Sequence, residues 1–107
     1  VPTTLPTLDE ALGDTHADAR AFYDSILDAA ASAAWPVLTV HAELEGGPYA
    51  SDLRRFLRQS AARGIRPVPL GELLAARRAT GVPLPQYPMA YGTVPGRHGT
   101  VFMPLQA

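Results

Sequence analysis

The residues with the most chemistry to offer stand together at 41–47, His-Ala-Glu-Leu-Glu-Gly-Gly, directly after an apolar, β-branched run, Val37-Leu-Thr-Val40. Imidazole is the side chain that gives or takes a proton near neutral pH, so a lone His41 at the end of such a run is a candidate general acid or base. Val37, Thr39 and His41 share one parity, and a strand here turns all three to the same face. In α/β architectures the catalytic groups sit at the carboxyl ends of strands, while residues lower down pack. A hydrogen-bonded core histidine fits the same run, and the strand alone does not separate the two. Glu43 and Glu45 would orient His41, bind hydroxyls, or simply be solvated in the glycine-rich loop. Arg97 lies in Pro-Gly-Arg-His-Gly at 95–99, where glycines let backbone approach a ligand and a guanidinium suits phosphate, or where an arginine satisfies loop carbonyls. Thr7 opens the capping box Thr-Leu-Asp-Glu at 7–10, and from the same rim it could touch substrate. His16 reads as a surface residue, and its spacing from His98 supports no metal site.

The elements that must position these groups follow from periodicity. The capping box predicts a short helix ended by Gly13. Residues 15–18 offer a second box, opening a longer helix to about Ala33, with Phe22, Ile26, Ala29, Ala30 and Ala33 inward and Asp18, Asp24 and Asp28 towards water. Trp35-Pro36 stops it, and residues 37–42 form a strand. Ser51 caps a third helix with the apolar stripe Leu53, Phe56, Leu57 and Ala61, opposite Arg54, Arg55 and Arg58. These arginines read as a solvated face or as a contact for phosphate or anionic lipid. Gly64 and Ile65 fit a Schellman end. Residues 66–70 are extended but carry two prolines, which confine them to an edge strand. A last helix over 72–79 leads into a proline-rich tail with no sustained periodicity, expected to be ordered by packing over the rest of the protein.

With the β-branched opening at 1–5 as a first strand, the order strand, helix, strand, helix, strand, helix predicts an α/β fold with parallel strands and right-handed crossovers. There is neither an internal repeat nor a linker, so the 107 residues make at most one domain. A closed parallel barrel needs roughly 250 residues, and a three-strand parallel sheet would leave open, apolar edges. Since the chain also begins at Val1 without an initiator Met, the expectation is the carboxyl-terminal portion of a larger α/β domain, incomplete on its own. Expressed alone it should be insoluble or molten.

Composition narrows the partners. A net charge of -1 and the lack of a basic, aromatic-interleaved stripe argue against nucleic acid. With no cysteine there is neither a disulfide framework nor a thiolate metal site. No apolar run approaches the about 20 residues of a membrane span.

Four strings then carry a resemblance: Val-Pro-Thr-Thr-Leu-Pro-Thr-Leu-Asp-Glu at 1–10; Leu-Thr-Val-His-Ala-Glu-Leu-Glu-Gly at 38–46; Gly-Ile-Arg-Pro-Val-Pro-Leu at 64–70, with Leu73-Leu74 after it; and Val-Pro-Gly-Arg-His-Gly at 94–99, with Gln106 near the end. In this order they resemble the last third of lipid-sugar deformylases of the NodB-homology polysaccharide deacetylase superfamily. The resemblance implies a distorted, open (β/α) barrel, with this chain as its closing portion and residues 80–107 packing over the barrel. It implies hydrolytic removal of an N-formyl or N-acetyl group from a lipid-linked amino sugar in bacterial lipid A modification and antibiotic resistance. A divalent metal, zinc or similar, would be held by residues outside this chain. His41 is the position that matches the superfamily's general acid, with Glu43, Glu45, Thr7 and Arg97 around the substrate. The implied partners are the preceding part of the same domain, the lipid-linked sugar and a peripheral contact with the cytoplasmic side of the inner membrane. The superfamily pattern has Glu at the place of His98 and Trp at the place of Thr100, so the tail departs from it. The alternative is a non-catalytic carbohydrate- or lipid-binding, or purely structural, portion of the same fold.

Overall fold

Three helices meet on one apolar cluster, and the rest of the chain is laid over or away from it. The structure, a computed structural model, describes residues 3–13 and 18–105. Helix α1 spans Leu8–Gly13, α2 Ala19–Ser32, α3 Ala50–Ala62 and α4 Leu70–Ala79. Leu8, Ala11, Ala19, Phe22, Tyr23 and Ile26 form the core, with Leu5, Leu12, Leu38, Leu44, Tyr49, Leu53 and Phe56 packed on it. The Tyr23 ring lies against Phe22 of its own helix at 5.0 Å and Phe56 of α3 at 5.1 Å, so α2 and α3 share an aromatic seam. Two surface ion pairs, Arg55 to Asp24 at 2.9 Å and Arg63 to Asp28 at 3.0 Å, tie the same helices, each worth little in water. Arg55 thus leaves the expected arginine face, while Arg54 and Arg58 remain exposed.

The helix ends show which local signals held. Asp18 caps α2 by accepting the Ala21 N–H at 2.7 Å; Thr15 lies outside the described residues. At the end of α3 Gly64 takes φ 71°, the Gly64 N–H donates to Ala61 and the Ile65 N–H to Ser60, which is the Schellman pattern. Ser51, expected to cap α3, is already inside it. The helix is entered at Tyr49 from a run of turns over 42–49, with no side-chain cap.

The expected strands need correction. Residues 65–69 are irregular and Leu70 opens α4, since Pro67 and Pro69 remove ladder donors. Residues 37–41 are neither helix nor strand and carry no ladder. Their neighbour is the opening segment, whose Thr4 and Leu5 amides both donate to the Val37 carbonyl at 3.2 and 3.1 Å. The Thr4 hydroxyl joins in, donating to the Trp35 carbonyl and accepting the Val37 N–H at 3.0 Å. Val1 and Pro2 lie outside the described residues. Val37 is buried and Thr39 and His41 half-buried while Val40 and Ala42 are exposed, but Leu38, of the opposite parity, is also half-buried and packs on the core.

The tail brings a strand pair that the sequence did not announce. Strands β1, Met89–Gly92, and β2, Val101–Pro104, form an antiparallel hairpin pairing Tyr91 with Phe102 and Met89 with Pro104. Its joining loop crosses α1, where a Cβ on Gly13 would stand 3.0 Å from the Gly96 carbonyl oxygen. Most of the exposed large apolar side chains, Val82, Leu84, Tyr87, Met89, Tyr91, Phe102 and Leu105 among them, lie in this part. The radius of gyration is 14.9 Å, against about 13 Å for a compact domain of this length, and neither the hairpin nor α4 packs on the three-helix layer.

Candidate functional site

The opening segment, residues 39–41, the start of α1 and the tail loop border a cleft of about 430 Å³ lined by Thr3, Leu5, Thr7, Asp9, Glu10, Thr39, His41 and Arg97. Three of the five residues singled out in the sequence, His41, Thr7 and Arg97, therefore share one polar hollow. They are drawn from positions far apart in the chain. Glu43 is exposed on the turn and does not line the cleft.

His41 is half-buried, with 39% of its side chain exposed. Its Nδ1 is buried, has no hydrogen-bond partner among the described residues, and faces Asp9 Oδ1 at 3.8 Å. That is beyond hydrogen-bond reach, but such contacts in ligand-free sites commonly tighten when substrate binds. With Nδ1 turned inward, Nε2 is the nitrogen on the open side of the ring.

Asp9 was legible only as an acidic residue in the first turn of α1. The Thr7 hydroxyl lies 2.6 Å from both Asp9 Oδ1 and Glu10 Oε1, so its one proton is shared between these carboxylates, and it does not accept the Glu10 amide as the capping box required. The hydrogen bond from Thr7 holds the Asp9 carboxyl below the ordinary carboxylate range, with His41 adding a smaller pull in the same direction. An acid with a lowered folded-state pKa stabilises the fold above its unfolded value and loses that contribution as pH falls through the folded one. In Thr7→Val the Asp9 carboxyl should titrate nearer its ordinary range, as read by carboxyl NMR, and acid sensitivity should weaken accordingly.

Glu45 overturns the expectation of a solvated loop. It is 2% exposed. Its Oε2 accepts the His41 backbone N–H at 2.8 Å and its Oε1 accepts the Tyr23 hydroxyl at 3.1 Å. The His41 carbonyl in turn accepts the Leu44 and Glu45 amides at 3.0 and 2.9 Å. A buried carboxylate is tolerated only when hydrogen-bonded in this way. Of the roles expected of Glu45, orienting His41 is the one its oxygens are placed for. The turn demands glycine next: a Cβ on Gly46 would lie 2.4 Å from the Ala42 carbonyl oxygen.

Burial raises the Tyr23 phenol well above its ordinary value, and Glu45 adds to that. The neutral phenol is favoured in the fold, so its contribution is complete below the ordinary pKa of about 10 and declines as pH rises beyond it. Unfolding midpoints measured between pH 8 and 12 should fall on the alkaline side, and more shallowly in Tyr23→Phe.

Arg97 forms no ion pair among the described residues, and its loop is shaped by Gly96 and Gly99 at φ 77° and 82°. Its amide donates to Val94 at 3.1 Å. The described residues gather no group of three or more His, Cys, Asp or Glu able to hold a metal. Among them, no helix is long and apolar enough to cross a membrane.

No family model matches the chain, and no solved structure matches it. Among curated proteins it is similar to the probable 4-deoxy-4-formamido-L-arabinose-phosphoundecaprenol deformylase ArnD of the bacterium Wigglesworthia glossinidia brevipalpis. The two are 29% identical over 103 residues, a match that takes in 94% of this chain and 34% of that protein. The chain thus spans about a third of the length of the relative it matches, and its relationship to that bacterial deformylase is a distant one.

Proposed function

We propose that this chain is the part of a bacterial deformylase or deacetylase of lipid-linked amino sugars that brings the general acid and one rim of the substrate cleft. On this reading it is the closing portion of a distorted (β/α) barrel. The observation that carries the proposal is the placement of His41, which lines a polar cleft with Thr7, Asp9, Thr39 and Arg97 and has its buried nitrogen 3.8 Å from Asp9.

Hydrolysis of a formamide adds water to the formyl carbon and then breaks the C–N bond. An unprotonated amide nitrogen is a poor leaving group, so the bond breaks only as a proton arrives. His41, which lines the cleft, donates that proton; formate and the free amine leave. Asp9 faces the buried nitrogen at 3.8 Å, outside hydrogen-bond reach, and supplies negative charge on that side of the ring. Arg97 offers a bidentate partner for a phosphate on the substrate. Hydrolases of this kind use a divalent metal to activate water. The described residues do not assemble a donor set for one; on this reading the preceding part of the domain would hold it, and the proton transfer itself uses the chain's own side chains.

The test is to supply the intact polypeptide with a polyprenyl-phosphate-linked 4-formamido sugar and measure formate. One formate per sugar consumed is the expected result. Tight binding of the sugar lipid with no formate would replace the enzyme by a non-catalytic binding protein.

A further inference from the structure

Both backbone polar groups of His41 are held by one residue. The Glu45 carboxylate takes the His41 N–H at 2.8 Å, and the Glu45 amide, with that of Leu44, donates to the His41 carbonyl. The same carboxylate is tied to helix α2 through the Tyr23 hydroxyl at 3.1 Å, and the Tyr23 ring is wedged between Phe22 and Phe56. Glu45 and Tyr23 are 2% and 0% exposed, so neither reaches a substrate in the cleft. A segment without a strand ladder has little else to fix where its last side chain points. We propose that Glu45 is a positioning residue for His41, a post anchored to α2 by Tyr23 that sets the imidazole beside Asp9. The role in catalysis rests on His41 being the acid; the placement of the ring does not.

Geometry, not charge, is what the post supplies. A glutamine can accept the His41 N–H with its oxygen and donate to the Tyr23 oxygen with its amide, whereas alanine can do neither. Two readouts on the intact polypeptide separate the possibilities. The first is independent of activity: exchange of the His41 amide and the side-chain rotamer of His41, both by NMR. In Glu45→Ala the amide should exchange at least about tenfold faster and the ring should average over rotamers, matching the loss of a hydrogen bond worth about 1.4 kcal/mol or more. Glu45→Gln should keep both near the parent, and Tyr23→Phe should fall between. The second is kinetic: kcat in Glu45→Ala should fall by about 10²-fold or more with KM within a few-fold, and Glu45→Gln should restore it.

An unmoved imidazole in Glu45→Ala overturns the proposal. So does a rise in KM with kcat intact, which would make Glu45 a substrate ligand, or a Glu45→Gln variant as damaged as Glu45→Ala, which would make the charge itself essential. Should Glu45→Ala not fold, Tyr23→Phe and Glu45→Gln still decide by the same readouts. If activity survives in His41→Ala, the acid role falls, and the NMR result alone still judges the positioning.

Discussion

His41→Ala in the intact polypeptide should lower kcat by about 10²- to 10⁴-fold, the usual worth of a positioned general acid, while KM changes little. The reason is local. The imidazole is the group in the cleft suited to deliver a proton to a departing nitrogen near neutral pH, and Asp9, Thr7 and Arg97 offer no replacement for it. Bound metal should stay near the parent level, because on the proposed reading its ligands lie in another part of the polypeptide. Loss of metal in the variant would instead make His41 a ligand.

Gly46→Ala should be the most damaging of the small substitutions. Its new methyl would lie 2.4 Å from a backbone oxygen, that of Ala42, which has no rotamer through which to escape. The turn that returns Glu45 to the His41 amide would have to open, at a cost of about 1–3 kcal/mol as in other overpacked sites. The stability loss should come with a fall in kcat, since the displaced element carries His41. Gly71→Ala is the matched control. Nothing lies within 4 Å of its Cβ position, and it sits inside helix α4. There alanine should stabilise by about 0.5–1 kcal/mol. Chemical unfolding of the two variants beside the parent checks both signs.

What the sequence disclosed and what it withheld divides along the range of the interactions. Helices α2 and α3 were legible because Phe22, Ile26, Leu53 and Phe56 recur at helical spacing, and the end of α3 because Gly64 and Ile65 carry their own short-range signal. The facing of Thr39 and His41 into one cleft followed from parity. The hairpin was hidden: each strand is four residues long, and eight residues rich in proline and glycine separate them. The alternation of Met89 and Tyr91 with Ala90 and Gly92 was the one signal available, and it is short. Glu45 looked solvated because its neighbours are glycines; its burial depends on Tyr23, 22 residues upstream on another element. Asp9 was hidden in the same way, since a first-turn acid reads as a helix-dipole partner until the fold brings His41 beside it. The parallel ladder expected of residues 37–42 depends on neighbouring strands, and among the described residues Thr4 and Leu5 are the only backbone beyond its own following turn that bonds to it.

The central claim is that His41 protonates the leaving nitrogen, and its most direct test is the dependence of the His41→Ala defect on the leaving group. Formamides of the same sugar, whose parent amines span several units of basicity, are hydrolysed by the intact parent and by the variant, and the ratio of the two kcat/KM values is taken for each. A general acid matters most when the leaving amine is most basic, so the ratio should shrink steadily as the amine becomes more acidic. A ratio that stays constant across the series would contradict the account and assign His41 to binding or to the fold.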